Sequence, residues 1–442
     1  MSTTLSPLAP ERDLQNTEAA LTFITCGSVD DGKSTLMGRL LLDSRALLQD
    51  QVSRVQRGGT LDLAALTDGL SAEREQGITI DVAWRYFRSA RRKFIMGDSP
   101  GHEQYTRNMV TAASQASAAV VLIDASKLDW RQAQPTLLPQ TRRHSLLLRL
   151  LRVPHVVFAV NKLDAVEDAR LAFAHISAAV QHFAAQAGWA EVQVIPVSAL
   201  RGDNVVEAQP SWAGYHGPSL LSHLEQLPHA LGDETHPGAE AVDEPAHFSV
   251  QWIDKPPLET ASHEAHRVLW GRVLRGRVRV GDALRVNDGL VARVAALQRV
   301  NHVQLDVATP GFSVGLSLDR PIDVSRGDAL QSPDAQTGVQ TAQATVAWLD
   351  TQALVPGRSY WALHGHRWVK AKVTAIDHQI NIHDLSTHAA DQLSTNAIGR
   401  VRLRFAQALP LCPYAQSRAL GRLILVDTAS HATAAAVLID DA

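Results

Sequence analysis

The chain has 442 residues, of which 45% are hydrophobic and 20% charged, a composition that excludes an intrinsically disordered protein. Its 42 Lys and Arg against 45 Asp and Glu give a net charge of −3, which argues against a dedicated nucleic-acid-binding protein. Two cysteines cannot form a disulfide framework or a zinc site. No apolar run reaches the ~20 residues of a membrane span, and residues near Glu11 and Asp13 lack a basic-then-apolar pattern, so we expect no secretory leader. We therefore expect a cytoplasmic protein without a membrane partner.

The first half of the chain alternates short apolar runs with amphipathic segments. Such alternation is typical of an α/β domain with a parallel sheet and helices on both faces, which we predict over residues 18–228. The predicted strands are Leu21–Cys26, Val82–Phe87, Phe94–Met96, Ala118–Asp124, His155–Val160 and Val192–Val197. The predicted helices include Leu36–Leu42, Leu171–Ala187 and Pro218–Leu227.

The character of the sequence changes after this domain. Residues 229–246 are acidic, aperiodic and contain Pro and Gly, which predicts a linker. From Phe248 onward, short alternating runs are separated by Gly-Asp or Pro turns, with little helical pattern. Evenly spaced short strands of this kind predict two small β-barrel domains, over residues 247–334 and 340–442.

The first predicted strand leads into a phosphate-binding motif, G-x-x-x-x-G-K-[ST], which is followed by the first predicted helix. Backbone N–H groups of such a loop wrap the β-phosphate at a helix N-terminus. Lys33 is expected to reach the β- and γ-phosphates, and the Ser34 hydroxyl is expected to bind Mg²⁺. The predicted phosphate-binding residues are Gly27, Ser28, Val29, Asp30, Asp31, Gly32, Lys33, Ser34 and Thr35.

A second group of candidate residues follows the next parallel strand. Asp98 stands where a second Mg²⁺-associated carboxylate is expected, and Gly101 can offer its N–H to the γ-phosphate. The charged segment 68–81 precedes it and predicts a switch loop, in which Thr79 binds Mg²⁺ only while the γ-phosphate is present. His102 is placed to orient the attacking water. The predicted nucleotide-binding residues of this second group are Asp98, Ser99, Pro100, Gly101 and His102.

The fifth predicted strand ends in Asn161-Lys162-Leu163-Asp164. The Asp164 carboxylate can accept hydrogen bonds from N1–H and the 2-amino group of guanine, and adenine presents neither donor there. Two charge-assisted bonds discriminate by about 10²–10⁴-fold. Asn161 is expected to brace the loop, and the Lys162 stem is expected to lie over the base. A backbone N–H from Ser198, Ala199 and Leu200 completes the pocket, so we predict GTP with Mg²⁺ and no other metal.

These motifs, GSVDDGKST, EREQGITID, DSPGHEQYTRNM and NKLD, resemble those of translational GTPases of the elongation factor Tu class. Within that class, the chain is most similar to the GTPase (large) subunit of the two-subunit ATP sulfurylase, or sulfate adenylyltransferase. Asp31 is a specific mark, since translation factors usually carry His there. The segments Pro356–Tyr360, Asn396–Gly399 and Pro413–Arg418 resemble the third domain of that subunit.

The resemblance implies an α/β P-loop GTPase domain followed by two small β-barrel domains, with His102, Thr79 and Lys33 as catalytic residues. It also implies a heterodimer that makes adenosine 5′-phosphosulfate and pyrophosphate from ATP and sulfate, driven by GTP hydrolysis on this chain. The single P-loop here and the lack of an S-G-G-x-D-S pyrophosphate loop assign adenylyl transfer to the small subunit. No second P-loop follows, so we expect no fused adenylylsulfate kinase. The stretch after Asp124 is longer than the family pattern, and Gln140–His144 fits the family without an assigned role.

Two alternatives stay open at the level of sequence. An elongation factor-like GTPase that delivers RNA would use arginines of the second half, namely Arg267, Arg272, Arg275, Arg277, Arg279, Arg400, Arg402 and Arg404. Residues 247–442 carry 20 Lys and Arg against 17 Asp and Glu, a net charge of only +3, which favours ordinary surface arginines paired with carboxylates. A non-catalytic GTP switch shares every motif, although the intact His102 favours turnover.

Overall fold

The computed structural model describes residues 20–44, 56–57, 60–61, 63, 82–102, 106–228, 244–254, 267–287, 289–300, 302–381 and 386–442. The chain forms two compact units, Met1–His229 and Ala230–Ala442. Within the described part of the chain, no helix has both the length and the apolar character that crossing a membrane requires.

The first unit alternates strands and helices as predicted. Its strands are β1 (Leu21–Cys26), β2 (Gln56–Arg57), β3 (Thr60–Leu61), β4 (Ala83–Arg88), β5 (Lys93–Asp98), β6 (Ala118–Asp124), β7 (His155–Asn161) and β8 (Gln193–Pro196). Its α-helices are α1 (Lys33–Asp43), α2 (Thr106–Ala113), α3 (Pro139–Leu150), α4 (Ala169–Gln186) and α5 (Leu220–Gln226). Single 3₁₀ turns span Ala125–Lys127, Leu163–Ala165 and Trp212–Gly214. The six predicted strands are confirmed, with ends that coincide or differ by one or two residues.

The main sheet has the order β4-β5-β1-β6-β7-β8. The five strands from β5 to β8 in this order run parallel, whereas the edge strand β4 runs antiparallel to β5. The expectation of a parallel sheet is therefore wrong at this edge. The physical reason is the four-residue connection between β4 and β5, in which the Ser89 hydroxyl accepts hydrogen bonds from the N–H groups of Arg91 and Arg92. A connection this short permits only an antiparallel hairpin.

The helices cover the sheet and fix where its strands end. Side chains of α1 and α5 share one buried apolar cluster with alternate residues of the central strands, including Phe23, Val120 and Ala159. Helix α5 begins two residues later than predicted, because Ser219 rather than Pro218 caps it by accepting a hydrogen bond from the Ser222 N–H at 3.2 Å. The carboxyl ends of the parallel strands meet at one edge, where ligands of open α/β sheets bind.

The second unit contains two closed six-stranded β-barrels, which confirms the predicted architecture. The strands are β9 (His247–Asp254), β10 (Val268–Arg275), β11 (Val278–Arg279), β12 (Ala283–Val286), β13 (Val291–Gln298), β14 (Gln304–Leu305), β15 (Val307–Ala308), β16 (Ser313–Leu318), β17 (Ala329–Gln331), β18 (Val339–Trp348), β19 (Ser359–His364), β20 (Arg367–Ile380), β21 (Thr387–His388), β22 (Ile398–Leu409), β23 (Arg422–Asp427) and β24 (Thr433–Asp441). In the first barrel the strand order is β12-β17-β9-β10-β16-β13, and pairing of β12 with β13 closes it. In the second barrel the order is β19-β23-β24-β18-β22-β20, and pairing of β19 with β20 closes it.

Each barrel encloses its own apolar core, as alternating strands require. Phe248, Leu284 and Leu316 are fully buried in the first barrel. Trp348 and Tyr360 are fully buried in the second, where their rings meet edge to face with centroids 5.6 Å apart. The sequence pattern of inward apolar and outward polar residues therefore accounts for both barrels.

Candidate functional site

The loop between β1 and α1 turns sharply enough to face its backbone inward. Gly27 and Gly32 have φ values of 144° and 91°, and Asp30 has a φ of 61°. A Cβ at Gly32 would stand 2.4 Å from Asn161 Nδ2, so a residue with a side chain does not fit there. Helix α1 starts at the next residue, and its N-terminal N–H groups provide an anion site directly after the loop.

Lys33 places a buried cation inside this loop. Its Nζ donates to the carbonyl oxygens of Ser28 at 2.7 Å and Gly27 at 3.3 Å. Burial lowers the pKa of Lys33, and the nearby Asp98 and Asp31 carboxylates oppose that shift. Gly101 lies against the same ammonium, because a Cβ there would stand 2.6 Å from Lys33 Nζ. Only a glycine permits the backbone at position 101 to approach the phosphate loop this closely.

The two predicted magnesium ligands with described positions lie side by side. The Ser34 hydroxyl donates to Asp98 Oδ2 at 2.9 Å, and the Thr25 hydroxyl donates to Asp98 Oδ1 at 3.1 Å. A hydroxyl and a carboxylate are hard oxygen ligands that suit Mg²⁺, which takes its other ligands from phosphates and water. Thr79 lies outside the described residues. Among those described, no group of three or more His, Cys, Asp or Glu side chains gathers as a metal site.

The segment from Asp98 to His102 continues from the end of β5 and passes close to the phosphate loop at Gly101. Ser99 is fully buried, and its hydroxyl donates to the Thr25 carbonyl oxygen. Pro100 is buried as well, whereas the His102 side chain is partly exposed directly after Gly101. His102 therefore follows the residue that lies against Lys33. Residues 103–105 are outside the described part of the chain.

Asn161 joins the phosphate loop to the loop after β8. Its Nδ2 donates to the Asp31 carbonyl oxygen at 2.8 Å, and its Oδ1 accepts from the Ala199 N–H at 2.9 Å. The Ala199 N–H is thereby engaged within the protein. The Ser198 hydroxyl accepts from the Arg201 N–H at 3.1 Å, which stabilises the turn of that loop.

The remaining predicted base-binding residues surround this junction. Lys162 Nζ donates to the Asp30 carbonyl oxygen at 2.6 Å, so its stem crosses from β7 to the phosphate loop. Asp164 sits partly exposed in the 3₁₀ turn Leu163–Ala165. Leu200 is exposed, and its carbonyl oxygen accepts from Arg39 of α1. The predicted site residues with described positions therefore lie on loops at one edge of one sheet.

His144 of α3 contacts the phosphate loop and Gln140 contacts His144, and sequence analysis could assign neither residue a role. The Gly27 N–H donates to His144 Nδ1 at 3.2 Å, and the Gln140 amide lies 2.8 Å from His144 Nε2. Burial lowers the pKa of His144 to about 3, so the ring is neutral. Because Nδ1 accepts, the neutral ring carries its proton on Nε2, and this N–H finds an acceptor when the Gln140 amide turns its Oε1 rather than its Nε2 toward the ring. The QTRRH run was the available signal, but nothing local connects it to a glycine 117 residues away.

The long stretch after Asp124 begins with a second contact that the sequence did not reveal. Its first residues form the 3₁₀ turn Ala125–Lys127, and α3 begins only at Pro139. Lys127 Nζ lies 3.2 Å from Asp31 Oδ1 and donates to the Val29 carbonyl oxygen. The start of this stretch therefore lies at the same sheet edge as the phosphate loop.

Two family models match parts of the chain. Residues 18–234 match the elongation factor Tu GTP binding domain, and residues 341–440 match the GTP-eEF1A C-terminal domain-like family. Sulfate adenylyltransferase subunit 1 of Laribacter hongkongensis is 40% identical over 437 residues, which cover 96% of this chain and 86% of the relative. The same subunit of Citrobacter koseri is 41% identical, covering 96% of this chain and 87% of the relative.

A longer relative aligns equally well. The bifunctional enzyme NodQ of Azospirillum brasilense is 44% identical over 429 residues, which are 95% of this chain and 66% of that protein. The chain thus spans about two thirds of the length of such bifunctional relatives. Among solved structures, sup35 complexed with GDP aligns over 98% of this chain and 97% of its own, with 19% identity and a TM-score of 0.42.

Proposed function

Because this chain belongs to the sulfate adenylyltransferase subunit 1 family, we propose that it is the GTPase subunit of a two-subunit ATP sulfurylase. GTP hydrolysis on this chain drives the synthesis of adenosine 5′-phosphosulfate and pyrophosphate from ATP and sulfate. The observation that carries the proposal is the convergence of the Gly27–Thr35, Asp98–His102, Asn161–Asp164 and Ser198–Leu200 loops at one sheet edge, in a chain of this family.

In this proposal, the loop after β1 holds the phosphates. Its inward N–H groups and the N-terminus of α1 receive the β-phosphate, and the buried Lys33 ammonium moves from loop carbonyls to the β- and γ-phosphate oxygens. Ser34 and Asp98 hold Mg²⁺, which neutralises charge on the phosphates, and Thr79 adds a ligand in the GTP state. These residues fit Mg²⁺ because their oxygens already lie 2.9 Å apart without further carboxylates.

Guanine is selected by Asp164 with the loops that Asn161 connects. The carboxylate accepts from N1–H and the 2-amino group, which adenine cannot offer. Asn161 fixes the distance between the phosphate loop and the Ser198–Leu200 loop, so base and phosphate contacts form together. This coupling favours GTP over ATP at this site.

Hydrolysis requires a positioned water, and His102 is the residue that orients it. The backbone of Gly101 lies against Lys33, which supports a position of the neighbouring His102 near the γ-phosphate. We assign catalytic roles to His102, Thr79 and Lys33. Ordering of the 68–81 segment by the γ-phosphate and its release after hydrolysis form the switch.

Adenylyl transfer belongs to the partner, a small subunit with its own pyrophosphate loop. This chain contributes a GTP-binding domain (18–228), a linker (229–246) and barrel domains (247–334 and 340–442). The reaction takes place in the cytoplasm, which suits two cysteines that remain free.

The RNA-delivery alternative is not favoured. Three of the arginines that would support it are paired with carboxylates: Arg275 with Glu244 at 2.8 Å, Arg402 with Asp377 at 2.9 Å and Arg400 with Asp440 at 3.4 Å. Such pairs are ordinary surface electrostatics. The family assignment also favours sulfate activation over RNA delivery.

The experiment is pyrophosphate release from ATP and sulfate by this chain purified with its small subunit, with and without GTP. We expect strong stimulation by GTP, which is lost in Lys33→Ala and in Asp164→Asn. Lys93→Met, at the exposed start of β5, is the control and should behave as wild type. A folded complex that hydrolyses GTP without stimulating pyrophosphate release would contradict the proposal.

A further inference from the structure

We propose that Asp31 and Lys127 form a positioning pair that sets the shape and charge of the phosphate-binding loop. Asp31 belongs to the loop itself, and Lys127 lies 96 residues away in the 3₁₀ turn after β6. The inference rests on the proposed function of this loop as the GTP site. It assigns Lys127 a role in nucleotide binding without direct contact to the nucleotide.

Asp31 folds its side chain back over the start of its own loop. Its Oδ2 accepts the Ser28 N–H at 2.6 Å, and the same oxygen stands 3.0 Å from where a Cβ of Gly27 would be. The carboxylate is completely buried. It therefore holds the loop closed, but it also puts a negative charge where a polyanionic ligand binds.

Lys127 supplies the opposing charge and a second brace. Its Nζ lies 3.2 Å from Asp31 Oδ1 and also donates to the Val29 carbonyl oxygen, while a third of the side chain stays exposed. One ammonium thus contacts two points of the same loop. The phosphate loop and the turn after β6 are held together across the sheet edge.

The pair belongs to a balanced chain of four charges. Lys127 also lies 3.9 Å from Asp124, and Asp124 lies 2.8 Å from Lys162. Both carboxylates are almost fully buried, and each lysine also donates to a carbonyl of the phosphate loop. Removing Lys127 deprives the buried Asp31 carboxylate of its ion pair, which is costly in itself and leaves a negative charge that repels phosphates.

Lys33 also stabilises the charged form of Asp31, but it does not contact that carboxylate as Lys127 does. The Lys33 ammonium donates to the Gly27 and Ser28 carbonyl oxygens and is expected to turn to the phosphates, whereas Lys127 stays paired with Asp31 Oδ1. The charge of Asp31 is therefore neutralised before the nucleotide arrives. The loop then presents its full positive potential to the phosphates.

The test measures Mg²⁺-dependent binding of fluorescent GTP and GDP analogues, and melting temperature without nucleotide, for four variants of the full chain. Lys127→Met removes the charge at constant length and should weaken GTP binding about 10- to 100-fold, the span of one charge-assisted hydrogen bond. Asp31→Asn keeps the acceptor for Ser28 and removes the buried negative charge, so it should bind GTP more tightly than wild type. The GTP affinity of the double variant should recover to within about threefold of the wild-type affinity, because neither member of the pair leaves a buried charge behind. Lys93→Met is the matched control.

The outcomes separate this inference from the proposed function. If the wild-type chain fails to bind GTP, the proposed function is overturned. If the wild-type chain binds GTP and Lys127→Met binds it with an affinity within twofold of wild type, only the role of the pair is overturned. A double variant as weak as Lys127→Met would also overturn the pair, since a merely structural contact is not restored by a second loss. If Lys127→Met does not fold, the double variant and Lys127→Arg decide: both should fold and bind, and a double variant that folds without binding contradicts the proposal.

Discussion

Replacing Asn161 by alanine tests whether one amide couples the base and phosphate loops. In the wild-type chain the side chain is almost fully buried and spans from the Asp31 carbonyl oxygen at 2.8 Å to the Ala199 N–H at 2.9 Å. Asn161→Ala removes both hydrogen bonds at once and leaves a buried acceptor and a buried donor unpaired. It also removes the group against which Gly32 packs.

The magnitude follows from these two contacts. Each buried polar group left unpaired costs about 1–3 kcal/mol, and entry of a water reduces that cost. We therefore expect a loss of about 2–4 kcal/mol, or roughly 30- to 1,000-fold in GTP affinity, since ~1.4 kcal/mol is tenfold. The sheet core is untouched, so most of this loss should appear in nucleotide binding and only a small part in melting temperature.

The assay is equilibrium titration of the variant with a fluorescent GTP analogue in the presence of Mg²⁺. Gln186→Ala, which removes an exposed amide at the end of α4, serves as the control. Affinity within twofold of wild type at an unchanged melting temperature would refute the coupling. A variant that no longer melts cooperatively would instead place Asn161 among the residues that hold the fold.

Three further predictions test the site. Asp164→Asn should reduce the preference for GTP over ATP by about 10²–10⁴-fold and should improve binding of xanthosine triphosphate, measured by competition; unchanged selectivity argues against Asp164. Gly32→Ala should abolish GTP binding, because its Cβ would stand 2.4 Å from Asn161 Nδ2, and titration at normal affinity contradicts this. His144, neutral when folded with a pKa of about 3 against 6.5 when unfolded, binds more protons in the unfolded chain, so its contribution to stability falls as pH falls from 6.5. When the pH is lowered from 6.5 to 5, chemical denaturation should show that the free energy of unfolding falls by about 2 kcal/mol less in His144→Gln than in wild type. An equal fall in both proteins would contradict this prediction.

Local motifs predicted the site because their chemistry is contained in a few consecutive residues. The phosphate loop needs a strand, two glycines, a lysine and a helix start within Gly27–Thr35, and all of these are visible in sequence. The strands that carry the other loops are largely apolar, so their approximate ends were also predictable. The direction of β4 was not, because it depends on a short turn rather than on periodicity.

Contacts between distant segments were beyond this kind of analysis. Nothing near Lys127 or His144 indicates that each contacts a loop about one hundred residues earlier. Those contacts arise only when β6 and α3 pack beside β1, and they use common residue types. The assigned roles of all the site residues stay predictions, including those of Thr79 and His102, as does the switch segment 68–81.

The claim that GTP hydrolysis drives sulfate activation is tested most directly by the final yield of adenosine 5′-phosphosulfate. The complex with the small subunit is incubated with ATP and sulfate to a constant product level, without GTP, with GTP, or with a non-hydrolysable GTP analogue. We predict that only hydrolysable GTP raises the product above the level reached without it, because hydrolysis shifts an unfavourable equilibrium. An equal final level in all three reactions, reached faster with either nucleotide, would show that GTP acts only as a switch and would contradict the claim.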